Sequence, residues 1–197
     1  MVVGGGTVAA RKVASLVAAG AEVTVVAPEL GEQLATAWSH GSGWRWIARA
    51  FEPGDGAGCL LLVAATGDRE VNRRAAEAGR AAGALVNIVD DAEGSDFVVP
   101  SVVQRGPLQI AVSTAGLAPA FSASLRRRLE EQFPREYGEA VDVVAGARAD
   151  ARTAGLNEAE RRALARRLAA LDLLVLLEEG GLEGVRTAVQ AVRKAGV

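Results

Sequence analysis

The 197-residue chain reads as an α/β protein: a doubly wound parallel sheet, then a small α+β region, then a helical C-terminal part. Three observations carry this reading. Through residues 1–93, β-branched apolar runs alternate with runs of helical period, the pattern of parallel strands with helices over both faces. Glycines 4–6 stand between the first apolar run and the first helix. Beyond Asp91 the alternation stops, and two apolar runs joined by a turn lead into continuous helical sequence.

The elements follow in order. Residues 1–3 are apolar and lead to Gly4, Gly5 and Gly6. In "TVAARKVASLVAAG", Val8, Val13, Leu16 and Val17 recur at helical spacing, and Gly20 ends the helix as a C-terminal glycine does. "AEVTVVAP" reads as a buried strand, "WRWIARAF" (44–51) as another, and "CLLLVAAT" (59–66) as a central one. "DREVNRRAAEAGRAAG" is the next helix and "ALVNIVD" (84–90) the next strand. "SDFVVPSVVQRGPLQIAVST" gives two strands about "QRGP", and "APAFSASLRRRLEEQFP" a helix stopped at Pro134. From residue 135 the chain is helical. Asn157 with Glu160 forms a capping-box signal, one amphipathic helix runs from there to Gly180 and Gly181, and a last helix covers 182–195. The expected domains are 1–93, 94–134 and 135–197.

Composition narrows the function. Half the residues are hydrophobic (50%), enough for a core. A net charge of −2 gives no general attraction to nucleic acid or an anionic membrane. The longest apolar run is far shorter than the ~20 residues of a membrane span. Cys59 is the only cysteine and reads as core, and His40, the only histidine, lies in "SHGSG" and receives no role. No Cys/His spacing suits a metal, so no metal ligands are expected. The expected setting is cytoplasmic.

Gly4, Gly6 and Ala9 fit G-x-G-x-x-G/A, behind a strand and ahead of a helix. The first glycine permits the tight turn, the second lets the backbone approach a pyrophosphate, and the small third residue seats helix on strand. The free N–H groups at the helix start attract phosphate. This is the Rossmann pattern of dinucleotide binding. Glu29, just past "VTVVA", is the candidate for the ribose hydroxyls, with the Pro28 backbone beside it, and no neighbouring arginine invites a 2′-phosphate. NAD is therefore expected over NADP. Only three residues precede the glycines, short for a strand, so native residues upstream of Met1 are expected. Asp90 closes its strand at the sheet edge where ligands bind, and two readings stand open: a proton acceptor, or a turn cap. Asp91 and Asp96 read as solvated.

"VVGGGTVAARK", "VTVVAPEL", "LVAATGDREVN" and "NIVDD…SDFVVPSVVQRGPLQIAVSTAG", with "AP" at 118–119, together resemble the siroheme synthase N-terminal family. That family comprises precorrin-2 dehydrogenases, some of them also sirohydrochlorin ferrochelatases. The resemblance covers residues 1–135 and implies a Rossmann NAD domain, a dimerisation region and a helical domain. It implies NAD-dependent oxidation of precorrin-2 to sirohydrochlorin with Asp90 as the acid–base group. The implied cofactor contacts are Gly4, Gly5, Gly6, Thr7, Val8, Pro28, Glu29 and Thr66. The family's "STGG-SP" stretch is "STAGLAP" here, with Ala115 and Ala118 in place of a glycine and a serine. It places Ser113, Thr114 and Gly116 beside the tetrapyrrole, Thr114 standing where some members carry a phosphorylated serine. Arginine forks suit the substrate's carboxylates, and Arg105 and the run Arg126–Arg128 are candidates, Arg126 first. The implied assembly is a homodimer with no nucleic-acid or membrane partner. Two alternatives remain: a bifunctional enzyme that also takes ferrous ion as a second substrate, and a non-catalytic NAD- or tetrapyrrole-sensing module.

Overall fold

A computed structural model describes residues 1–41 and 43–195. The chain divides into two compact units, residues 1–99 and 100–197.

The first unit is a five-stranded parallel sheet. Its strands are β1 (Val2–Val3), β2 (Thr24–Val26), β3 (Arg45–Ile47), β4 (Leu61–Ala64) and β5 (Leu85–Ile88), in spatial order β3-β2-β1-β4-β5. Helices α1 (Thr7–Ala18), α2 (Glu32–Ser39) and α3 (Arg69–Ala81) connect them. β1 is central, and Val2 and Val3 are buried. The Met1 amine donates to the Leu61 carbonyl at 2.7 Å, and its burial lowers the amine's pKa. Two apolar layers cover the sheet faces. One gathers Val2, Val25, Val63, Ala9 and Val13 under α1, and the other gathers Val3, Leu62, Val86, Ala75 and Ala76 under α3. Completely buried valines on the middle strands are what a parallel sheet covered on both faces demands. α2 has no counterpart in the sequence reading. Its eight residues bury only Leu34, too short and weakly patterned a stretch to register.

The second unit opens with an antiparallel hairpin, β6 (Ser101–Arg105) and β7 (Leu108–Val112), followed by α4 (Pro119–Gln132), α5 (Glu136–Thr153), α6 (Glu158–Ala169) and α7 (Leu173–Lys194). α4 and α5 pack on the hairpin, and α5, α6 and α7 enclose a core of Ala140, Ala147, Leu164, Leu168, Val185 and Val189. Asn157 caps α6 with Glu160 in a capping box, as expected. The single helix expected from there to Gly180 is two. The chain breaks before Leu173, where the Asp172 carboxylate accepts hydrogen bonds from the N–H groups of Leu174 (3.1 Å) and Val175 (3.2 Å). The unbroken apolar run on either side of Asp172 hid that cap. Gly181, at φ +58°, kinks α7 where the sequence puts a break. Among the described residues no helix is long and apolar enough to cross a membrane.

Candidate functional site

The glycine turn lies at the carboxyl edge of the sheet, between β1 and α1. Gly4 has φ +121°, and a Cβ there would stand 2.4 Å from the Ala65 carbonyl oxygen. A Cβ on Gly5 would stand 2.0 Å from the Glu29 carbonyl oxygen, and Gly5 O accepts from Gly31 N at 2.8 Å. Gly4 and Gly5 are thus needed for close approach of neighbouring chain. Gly6 differs: φ is −81°, and a Cβ would meet nothing within 4 Å. The bare space lies over the start of α1, which has no side-chain cap and no acidic residue in its first turn. The first N–H groups of a helix have no partner within it. Uncapped donors, the positive end of the helix dipole and room left by a missing side chain together make a phosphate cradle. Ala9, the third position of the motif, is fully buried under the helix.

A cavity of about 400 Å³ opens from this turn. Gly4, Gly5, Gly6, Pro28, Glu29 and Thr66 line it, so the structure brings these six expected cofactor contacts into one wall. Thr7 and Val8 begin α1 but do not line it. Thr66 is fixed by Asn72: Asn72 Oδ1 accepts from Thr66 N (3.0 Å) and from Thr66 Oγ1 (2.8 Å), and Asn72 Nδ2 donates to Thr66 O (3.0 Å). Asn72, a polar residue 6% exposed inside a helix, received no role from the sequence. Its signal was its apolar-face position on α3, where a buried amide needs partners. Asp68 caps α3 by accepting from Glu70 N (2.8 Å) and Val71 N (3.2 Å). Opposite, Ala50 and Phe51 belong to a segment clamped by Arg49, whose guanidinium donates twice to Asp55, at 2.7 and 2.6 Å. Trp46 Nε1 donates to Ala27 O at 2.9 Å and steadies the end of β2.

One expectation needs correction here. The sequence places no arginine near Glu29, yet Arg74 of α3 lines the same cavity. Residues distant in sequence meet here because β4 lies beside β1.

Asp90 follows β5 at the same sheet edge. Its φ is +61°, a left-handed conformation that Asp tolerates better than most residues. Its carboxylate accepts no hydrogen bond from any described residue, so of the two open readings the turn cap does not describe it. Asp90 does not line the 400 Å³ cavity. Capping falls to its neighbours, which the sequence reading left solvated. Gly94 N donates to Asp91 Oδ1 (2.8 Å), and Val86 N donates to Asp96 Oδ2 (2.8 Å) while Arg80 pairs with Asp96 at 3.0 Å. These contacts hold the Asp96 carboxyl below its usual range, the Val86 N–H first and Arg80 second.

In the second unit the substrate candidates are engaged in the fold. Arg105 donates to the carbonyls of Phe133 (2.7 Å), Glu130 (2.9 Å) and Gln104 (3.0 Å), capping the C-terminal end of α4. Three of the five guanidinium N–H groups are used in this way. Arg126 pairs with Glu130 one helical turn away. Thr114 Oγ1 accepts from Ala118 N and lies within hydrogen-bond distance of Ser122 Oγ, both at 3.1 Å, and Ser113 Oγ accepts from Ala115 N at 3.1 Å. Gly116 has φ +82° and Ala115 φ +51°.

The chain matches two family models: one described as "Putative NAD(P)-binding", over residues 1–101, and one described as "Sirohaem biosynthesis protein central", over residues 105–132. It is 40% identical to Siroheme synthase 1 of Aeromonas salmonicida over 174 residues, 88% of this chain and 37% of that protein. It is 47% identical to the siroheme synthase of Methylobacillus flagellatus over 138 residues, 70% of this chain and 29% of that protein. The chain thus spans about a third of the length of these relatives. Among solved structures it superimposes on "SirC, precorrin-2 dehydrogenase" with a TM-score of 0.79 at 23% identity, over 98% of this chain and 92% of that one, which establishes a shared fold.

Proposed function

The chain belongs to the NAD(P)-binding family matched by residues 1–101, and from that premise we propose that it oxidises precorrin-2 to sirohydrochlorin with NAD in siroheme biosynthesis. The observation that carries the proposal is the phosphate cradle. Gly6 leaves room over the uncapped start of α1, and this opens into the cavity that also holds Glu29. The siroheme synthases to which the chain is similar, and the precorrin-2 dehydrogenase whose fold it shares, supply the substrate class.

NAD, when bound, supplies the hydride acceptor. The residues of the chain do the rest. The N–H groups at the start of α1 hold the pyrophosphate, and the backbone at Gly6 leaves it room. Glu29 accepts hydrogen bonds from the adenosine ribose hydroxyls and opposes a 2′-phosphate, so the choice of NAD over NADP rests on this carboxylate. The Asp90 carboxylate, unpartnered and at the ligand edge of the sheet, takes the proton that the substrate loses as hydride leaves. Oxidation then balances: two hydrogens leave precorrin-2, one as hydride and one as a proton on Asp90. The working form is a cytoplasmic homodimer. Leu117 (90% exposed), in the loop before α4, and Phe121 (63% exposed), in the first turn of α4, are apolar surface that a second copy would cover.

The test is anaerobic addition of precorrin-2 and NAD with NADH absorbance followed in time. The wild-type chain is expected to form NADH. Asp90→Asn, which keeps the left-handed preference of the position, is expected to bind NAD as before and to lose about a hundredfold or more in turnover. Unchanged turnover in the variant removes Asp90 from the chemistry, and no NADH from the wild-type chain removes the reaction.

A further inference from the structure

The second unit contains a cavity of about 230 Å³ between α5 and α6 to which nothing above gives a role. Arg148 and Arg152 line it from α5, and Arg161 and Arg162 from α6. The only carboxylate in its wall is Glu158, which already pairs with Arg162. Arg161 donates to the Leu156 carbonyl at 3.0 Å. Among the described residues, the guanidinium groups of Arg148 and Arg152 have neither a hydrogen bond nor an ion pair.

This surplus of positive charge is local. The chain as a whole carries a net charge of −2. Arg148 and Arg152 lie four residues apart on one helix face, where like charges destabilise the helix. Arg152 has a structural reason, since it sits in the last turn of α5, where a cation meets the negative end of the helix dipole. Arg148 lies more than a turn from that end, beyond the reach of this effect, and Arg161 stands in the first turn of α6, at the helix's positive end. Arg148 therefore sits where the fold gives it neither a partner nor a favourable helix dipole, and Arg161 has only the Leu156 carbonyl to set against the helix dipole. The floor of the cavity is apolar. Leu164 and Ala151 are 4% and 6% exposed, and both belong to the cavity wall and to the helical core.

We propose that this cavity binds a small molecule carrying two or more carboxylates on short alkyl arms. Guanidinium forks pair with planar carboxylates in a bidentate fashion; Arg148 and Arg152 are unpartnered on α5, and Arg161 on α6 keeps free N–H groups beyond its one bond to Leu156 O. The apolar floor accepts the methylene groups of the arms, which a bare phosphate lacks. The site stands on the second unit alone and does not depend on the dehydrogenase reading. Two sources share this chemistry, a free polycarboxylic acid and the carboxylate arms of a tetrapyrrole, and separate probes distinguish them.

The experiment is calorimetric titration of the full chain with propane-1,2,3-tricarboxylate, uroporphyrin I and pyrophosphate in parallel. Binding of the tricarboxylate is expected, weakening as salt rises, and lost by about tenfold or more in Arg148→Gln/Arg161→Gln. Equal arginine dependence for uroporphyrin I identifies tetrapyrrole arms as cargo, whereas dependence for the tricarboxylate alone identifies a free acid. NADH binding by the double variant reports separately on the first unit, and its helical circular dichroism shows that the second unit is folded. No arginine-dependent binding of either carboxylate probe at millimolar concentration overturns the proposal. So does pyrophosphate binding at least as tightly as the tricarboxylate with the same arginine dependence. Loss of the dinucleotide reading in the precorrin-2 assay leaves the proposal standing.

Discussion

Among the helices that lack a side-chain cap at the N-cap residue, α1 and α4 are opened by loops finished in opposite ways. Before α1, Gly4–Gly6 leave the first N–H groups of the helix open and keep side chains away from them. Before α4, Ser113–Ala118 close on themselves: Thr114 Oγ1 takes the Ala118 N–H, Ser122 Oγ lies against Thr114, and Pro119 at the helix start removes one donor outright. The first loop keeps the space before its helix open, and the second fills it with hydroxyl side chains bound to each other and to the chain. The same contrast separates Asp90, whose carboxylate meets no described partner, from Arg105, whose guanidinium meets three carbonyls. An exposed carboxylate at the carboxyl edge of a parallel sheet that no other residue engages is free to meet a ligand, whereas a guanidinium bound to backbone carbonyls holds the fold.

The largest effect expected from this contrast lies between two adjacent glycines. Gly6→Val places a side chain where the structure has open space, at a φ of −81° that valine adopts freely. The variant is expected to fold as before and to lose NAD binding, measured by titration beside a thermal melt. Gly5→Ala places a methyl group 2.0 Å from the Glu29 carbonyl oxygen and is expected to cost about 1–3 kcal/mol of stability by urea unfolding. If Gly6→Val binds NAD like the wild type, or if Gly5→Ala melts unchanged, the distinction between ligand space and packing space in this turn is broken.

A smaller effect belongs to the closed loop. Ala115 holds φ +51° with a Cβ that resists it. Ala115→Gly relieves that strain, while the unfolded chain gains freedom that favours unfolding. The native strain is expected to dominate, giving a net stabilisation of up to about 1 kcal/mol in urea unfolding with no change in NAD affinity. A destabilised variant would show that the loop holds its alanine without strain.

Much of this was legible in the sequence, for a physical reason. The middle strands of the parallel sheet are buried, so β-branched residues crowd together in runs that stand out. The glycine turn needs bare backbone at fixed spacing, and Asp90 closes an apolar run, although β5 ends at Ile88 and Asp90 stands in the turn after it. Long-range satisfaction was not legible. Arg105 resembles any arginine that could meet a carboxylate until α4 returns to place Glu130 and Phe133 beside it. Arg74 reaches the cavity only because β4 sits against β1, a fact of topology that local spacing near Glu29 does not encode. Asp172 breaks a helix inside an apolar run whose period continues on both sides, so the cap is a single residue against many.

The smallest effect concerns acid, and it sharpens the contrast because carboxylates titrate and hydroxyls do not. The wall of the cavity at Ala50 and Phe51 depends on the Arg49–Asp55 pair. The Arg49 hydrogen bonds hold the Asp55 carboxyl below its usual range, opposed by its own burial and helped by the Glu52 N–H. A depressed folded pKa gives stability that is complete above the unfolded value of about 3.9 and is lost as pH falls through the folded value. Asp55→Asn should therefore be less stable than wild type near neutrality, and the gap should narrow as pH drops below about 4. Urea midpoints between neutrality and strong acid measure it. Thr114→Val, in the hydroxyl-built loop, should differ from wild type by an amount that stays constant over the same range. A gap for Asp55→Asn that does not narrow would show that the clamp acts through shape rather than charge.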